Sequence, residues 1–369
     1  MYNHYRKAIG CLAALMLALG QSGAATNAPA KSSAAKTKPA VKKEAVKTAK
    51  PVKPAKPTPP PVADHVERLD PAINALLPTN TFLEPLASGF IWSEGPVWMG
   101  KYLLFSDVPT NRIYKWEEGL GISVFLEPSG YTGTDPRGGE MGSNGLTRDR
   151  QGRLVICQHG DRRVSRLEKD GSFTPLAQYY QWRRFNSPND AVFDSKGNLY
   201  FTDPPYGLPA QMADPRKEIP FQGIYRVSPQ GEVTLLSDKL SRPNGIALSP
   251  DEKTLYVANS DRSNPAIFAF PINKDGTLGN RRIFFDASEL ASKGRPGLPD
   301  GLKVDIKGNV FATGPGGVLV LSPQGKHLGT IKTDRPTANC AWGNDGSVLY
   351  ITANHDLLRV KTKTRGKLP

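Results

Sequence analysis

Asn186-Ser187-Pro188-Asn189-Asp190-Ala191-Val192-Phe193-Asp194, followed by Gly197-Asn198-Leu199-Tyr200-Phe201-Thr202-Asp203, reads as a polar corner, a half-buried strand, a glycine turn and a second strand. The same unit recurs along the chain. Ser143-Asn144-Gly145-Leu146-Thr147 precedes Arg153-Leu154-Val155-Ile156, and Pro243-Asn244-Gly245-Ile246-Ala247-Leu248 precedes Thr254-Leu255-Tyr256-Val257. Pro299-Asp300-Gly301-Leu302-Lys303-Val304 precedes Asn309-Val310-Phe311-Ala312. Glu94-Gly95-Pro96-Val97-Trp98 before Tyr102-Leu103-Leu104-Phe105, and Asn339-Cys340-Ala341-Trp342 before Val348-Leu349-Tyr350-Ile351, complete a set of six. A repeat of roughly 40–55 residues is the signature of a propeller or array.

Two further strands follow in each repeat. In the third repeat they are Gly223-Ile224-Tyr225-Arg226-Val227 and Val233-Thr234-Leu235-Leu236. Comparable third strands are Arg112–Trp116, Arg163–Leu167, Ala266–Phe270 and Gly317–Leu321. Turn signals fall in register after them, as Lys169-Asp170-Gly171, Pro229-Gln230-Gly231, Lys274-Asp275-Gly276 and Pro323-Gln324-Gly325. No stretch holds a helical period. The expectation is an all-β fold, a six-bladed β-propeller of four-stranded blades spanning residues 64–369. Phe82 to Phe90 is expected to pair with the last repeat and close the ring, which protects sheet edges. Asp64 to Leu77 reads as a short helix or irregular lead-in.

Outside the repeats the composition changes. Residues 1–25 read as a signal peptide: Arg6 and Lys7, an apolar run from Ala8 to Leu19 too short to span a bilayer, and small residues for cleavage at Ser22-Gly23-Ala24-Ala25. Residues 26–63 are rich in Ala, Lys and Pro and offer little to bury, so they read as a disordered, extended cationic linker. An exported protein, periplasmic or secreted, is expected, with a tether suited to anionic envelope polymers and no integral membrane domain. The formal charge is +14, but residues 1–62 hold eleven Lys or Arg against one Glu, leaving about +4 for the rest. With no basic helix, zinc spacing or aromatic RNA-binding signature in the body, a nucleic-acid partner is not expected. Cys11 lies in the leader; Cys157 and Cys340 fall in non-adjacent repeats and read as buried free thiols.

Propeller blades set their innermost strands around a central channel, so residues at one position in every repeat meet at the hub. These are Glu94, Asn144, Asn189, Asn244, Asp300 and Asn339, all carrying side-chain oxygens. Such donors suit a hard divalent cation, Ca²⁺ above all, with Mg²⁺, Mn²⁺ or Zn²⁺ as substitutes; Zn²⁺ ordinarily favours His or Cys. Asn or Asp before Gly is also ordinary turn chemistry; six copies in one register favour a ligand site. Burying Glu94 with Asp300 and no cation would be costly. Two inserts interrupt the repeats. Glu127 to Gly142 is expected to overhang one mouth of the channel, and Pro204 to Gln222 opens with Pro204-Pro205-Tyr206-Gly207-Leu208.

Ser93-Glu94-Gly95-Pro96-Val97-Trp98, Asn186-Ser187-Pro188-Asn189-Asp190, Phe201-Thr202-Asp203-Pro204-Pro205-Tyr206-Gly207, Arg242-Pro243-Asn244-Gly245 and Pro299-Asp300-Gly301 together resemble the senescence-marker-protein, gluconolactonase and luciferin-regenerating-enzyme family over roughly residues 80–360, with the Asn-Ser-Pro-Asn-Asp and Asp-Pro-Pro-Tyr-Gly pieces closest to its bacterial gluconolactonase branch. The resemblance implies a catalytic divalent metal held by Glu94, Asn189, Asn244 and Asp300, with Asp300 as general base and Asn189 also contacting substrate. It implies hydrolysis of sugar lactones. A carboxylate that also holds a cation is a weak base, so a cation-activated water held by Asn144 is a competing nucleophile. His159, Arg184 and Tyr206 are rim candidates for binding sugar hydroxyls, alongside Asn144 and Asn189. The leader and tether depart from the family's usual cytosolic pattern. The alternatives are a metal-dependent phosphotriesterase-like hydrolase and a non-enzymatic envelope-binding propeller. A serine hydrolase is not expected, because no Gly-x-Ser-x-Gly elbow occurs.

Overall fold

The computed structural model describes residues 64–368, so the leader and the linker readings lie wholly outside the described residues. The repeats form six antiparallel sheets. Their innermost strands are Ser93–Trp98, Ser143–Arg148, Ala191–Phe193, Pro243–Leu248, Leu302–Val304 and Asn339–Gly343. Each inner strand lies against the inner strand of the next blade, and Asn339–Gly343 lies against Ser93–Trp98 to complete the ring. The expected third strands of blades two, three and five appear with the boundaries read from the sequence.

The ring closes as the sequence implies. Glu84–Ser88 pairs antiparallel with Asp356–Lys361, giving the sixth blade its outermost strand. The lead-in does more than cover the edge. Val66–Arg68 pairs with His327–Lys332 as a fifth strand of the fifth blade. A short 3₁₀ turn, Pro71–Ala75, follows; the Asp70 carboxylate accepts from the Ala72 N–H. That bond satisfies one of the donors a helix start leaves open.

The core lies between blades, because each sheet is apolar on both faces. Between blades two and three, Phe185, Phe201 and Tyr225 are wholly buried and meet at ring-centroid distances of 5.0–5.2 Å. Full burial of such a side chain contributes roughly 1.5–3 kcal/mol. Both described cysteines are buried free thiols.

The glycine that follows four of the six hub donors has a specific task. In blades one, two and four the ladder slips at the donor–Gly pair, between Glu94 and Val97, Ser143 and Leu146, and Pro243 and Ile246. Such bulges re-aim a side chain. A methyl on Gly95 would fall inside the Asn144 main chain, one on Gly145 against Asn189 and Asp190, and one on Gly245 inside the Asp300 main chain. Glycine therefore lets consecutive inner strands approach closely enough for the donors to converge.

Candidate active site

A cavity of about 940 Å³ opens at the hub, and Glu94, Asn144, Asn189, Asn244 and Asp300 all line it. The sixth member of the register does not. Asn339 bends its amide oxygen onto the Cys340 N–H at 2.9 Å and donates from Nδ2 to Glu94 Oε2 at 3.1 Å. It holds Glu94 in place across the blade-six to blade-one seam.

The donors are fixed from behind and open in front. Asn244 Nδ2 donates to Ser260 Oγ at 3.1 Å, which orients the amide while its oxygen has no hydrogen-bond partner among the described residues. Asn144 Oδ1 and Asp300 Oδ1 likewise lack partners. Buried polar atoms are nearly always satisfied, so three orphaned oxygens lining one cavity point to a ligand. The site also carries uncompensated acid. Burial and then the Asp190 charge push Glu94 up to about 8. Burial, then the Glu94, Asp190 and Glu140 charges, raise Asp300 well above the carboxylate range. No group of three His, Cys, Asp or Glu side chains placed to hold a metal ion occurs among the described residues. An ion at the hub would therefore be shared between carboxylate and amide oxygens. Hard oxygens, left unpaired and surplus in negative charge, fit a cation such as Ca²⁺.

Sequence reasoning missed two charged groups here. Asp190 is buried beneath the hub, takes the Ala191 N–H at 2.9 Å, and faces Lys303 Nζ at 3.8 Å. It stands where four other blades carry glycine after the donor, a departure visible in the quoted stretch. Glu140 was missed as a side chain, although its segment was not. The insert reaches the cavity as expected, and Glu140 is part of the lining. Asn111 organises the start of this insert: its Oδ1 accepts from the backbone N–H groups of Ser129, Gly130 and Tyr131 at 2.8–3.2 Å, and its Nδ2 donates to Tyr131 O. The end is tied by Gly142 N to Val108 O at 2.8 Å and Gly160 N to Met141 O at 3.1 Å. Arg137 spans from Gly160 O to Gly207 O and joins the two inserts.

The rim candidates separate. Tyr206 lines the cavity with its hydroxyl unpartnered and Arg242 over its ring. His159 is wholly buried and not part of the lining; its Nδ1 lies 3.6 Å from Glu140 Oε2. Arg184 is outside the lining too, on the hairpin formed by Tyr179-Tyr180 and Arg183-Arg184, donating to Asp161 O at 2.7 Å. A further wall comes from Ala291 and Gly294 to Leu298, between the fourth and fifth blades. The unusual distance from Asp286 to Asp300 was its only signal in the sequence.

Burial, with the Arg137 charge added, pushes His159 down to about 3. Because the folded value lies below the ordinary one, the unfolded chain protonates first. His159 therefore stabilises the fold fully above about pH 6.5 and loses that contribution as pH falls toward 3. The full effect is on the order of 5 kcal/mol. Melting curves from pH 7 to pH 4 are expected to fall more steeply for the native chain than for His159→Gln. Parallel curves would show that this imidazole is not held neutral.

The SMP-30/Gluconolactonase/LRE-like region matches residues 92–355. The chain is 41% identical over 309 residues to a gluconolactonase of Zymomonas mobilis, covering 82% of this chain and 87% of that one. It is 27% identical over 267 residues to a pentonolactonase of Haloferax volcanii, covering 70% and 80%. A solved gluconolactonase of Xanthomonas campestris superposes with a TM-score of 0.72 at 34% identity, over 84% of this chain and 99% of that one. From its hub motifs to its fold, this chain belongs to the SMP-30/gluconolactonase/LRE-like family.

Proposed function

We propose that the protein is a hydrolase that opens sugar lactones with the help of one divalent cation at the hub. The observation that carries this reading is the set of oxygens of Asn144, Asn244 and Asp300, unpartnered among the described residues, that line one cavity with buried Glu94. The gluconolactonase and pentonolactonase relatives support the substrate class. Glu94, Asn189, Asn244 and Asp300 would hold the cation, and Asn144 completes the polar wall. A cation so held supplies Lewis acidity to the ester carbonyl. The chain itself supplies the rest. The cavity is large enough for a sugar lactone, and the free Tyr206 hydroxyl and the Arg242 guanidinium offer hydrogen bonds to sugar hydroxyls. Asp300 would help orient water toward the carbonyl carbon.

Turnover of glucono- and pentonolactones by the full chain, against a phosphotriester, tests the reading. Lactone opening is expected to exceed its spontaneous rate by orders of magnitude, with phosphotriester cleavage far weaker. Faster phosphotriester cleavage would reverse the assignment. Neither activity, with metal-raised stability, would leave a binding propeller.

A further inference from the structure

Asp300 has two duties in the proposed site, and they conflict. A carboxylate that holds a cation gives electron density to it and becomes a poorer base. Ester hydrolysis needs a group that takes the proton of the attacking water and returns one to the departing ring oxygen. A second carboxyl is in place for that work.

Glu140 enters the cavity from the 127–142 insert, not from a blade, and so lies outside the ring of hub donors. Its side chain is 37% exposed, open to the cavity, and makes no hydrogen bond with a described residue. The fixed backbone at Gly142, Gly160 and Val108 sets where it points. Behind it stands His159, wholly enclosed, with Nδ1 3.6 Å from the carboxylate and the Glu140 backbone also beside the ring; neither ring nitrogen makes a well-formed hydrogen bond among the described residues. A modest tightening brings this pair into hydrogen-bond range and fixes the carboxylate's orientation; catalytic hydrogen bonds are often long before substrate is bound. Among the described residues no Lys or Arg pairs with Glu140, so none of them holds the carboxylate permanently ionised and unreactive.

We propose that Glu140, positioned by His159, is the proton-transfer group of this enzyme, and that Asp300 serves mainly to hold the cation. The step rests on the lactonase reading above. A water oxygen bonds to the carbonyl carbon as its proton moves to the Glu140 carboxylate. The bond from that carbon to the ring oxygen then breaks, and the ring oxygen takes the proton from Glu140. Lactone and water become one hydroxy acid, and Glu140 is returned as carboxylate. Although the side chain opens to the cavity, the protein packed around it keeps bulk water away and raises the Glu140 carboxyl to about 7, which suits a group that must both take and give a proton near neutral pH.

Full-length wild type, Glu140→Gln and Glu140→Ala are compared by lactone kinetics, Ca²⁺ calorimetry and thermal melting. Glu140→Gln is expected to lower kcat by about 100-fold or more, with KM within about threefold and Ca²⁺ affinity and melting unchanged. Formate is expected to restore part of the rate to Glu140→Ala, by filling the space of the lost carboxyl, and none to Glu140→Gln. A Glu140→Gln enzyme within threefold of an active wild type overturns the proposal and leaves the lactonase reading standing. So does a rate loss that tracks lost Ca²⁺ affinity or stability without formate rescue. A wild type with no lactone turnover overturns both.

Discussion

Asp300→Asn is expected to lower kcat/KM for lactones by about 10³-fold or more while making the metal-stripped protein more stable than stripped wild type. The two effects share one cause. Asp300 Oδ1 has no partner, and the carboxyl is raised by burial and by the Glu94, Asp190 and Glu140 charges. Without a cation, that group only costs free energy, through desolvation and repulsion. Amide in place of carboxyl keeps the shape and removes the cost. Each kcal/mol recovered shifts the melting point by roughly 2–4 °C in a domain of this class. With the cation present, the same change removes one of its two negative donors and the rate should collapse. An Asp300 that merely braced the strand would behave otherwise: its loss would lower activity and stability together. Activity assays and melting curves on chelator-treated and Ca²⁺-loaded protein separate the cases.

Chelation is expected to have the second large effect. Stripping the cation should reduce lactone turnover to near background, and returning Ca²⁺ should restore it. At about 100 times its dissociation constant a ligand stabilises the native state by roughly 2.7 kcal/mol, so the loaded protein melts several degrees higher. The interval should depend on pH. Burial and the Asp190 charge raise Glu94, so it is expected to keep its proton in the stripped protein at pH 7. Its folded value lies above the unfolded one, so its protonation stabilises the stripped fold at low pH. That contribution is lost as pH climbs from about 4.5 through 8. A cation needs the carboxylate, so uptake at pH 7 releases protons and strengthens toward pH 8. The gap in melting point between loaded and stripped protein should widen from pH 5 to pH 8. Calorimetry in buffers of different ionisation enthalpy reads the released protons directly. A binding enthalpy independent of buffer would mean that Glu94 is already ionised and the hub is not the acid-laden pocket described.

The hub was legible because its signal is local and repeated. Glu94, Asn144, Asn189, Asn244 and Asp300 each sit at or just before the start of an inner strand, and rotational pseudo-symmetry does the convergence. Asn339 carried the same signal and took a different role. Its amide returns to its own neighbour Cys340 and to Glu94, fitting beside Gly301 where a methyl group could not be placed. That outcome depends on a seam between the last and first blades, which no single repeat encodes. Tyr206 was recoverable because its motif opens an insert directly after a strand. His159 and Arg184 came from polar loop residues whose orientation is decided by packing: one is enclosed behind Glu140, the other belongs to a surface hairpin. Glu140 itself stands in a Gly-rich run without local pattern. Its place is set by Asn111, Val108 and Gly160, partners that lie 20 or more residues away in the chain. The Asp190–Lys303 pairing joins blades three and five and was invisible for the same reason.

The central claim is that one cation sits at the propeller hub among carboxylate and amide oxygens. Anomalous diffraction from Mn²⁺-soaked crystals of the protein tests it most directly. A single strong peak within bonding distance of Glu94, Asn244 and Asp300, absent from Asp300→Asn crystals, is the predicted result. No peak at the hub, in a protein whose lactone turnover survives chelation, would contradict it.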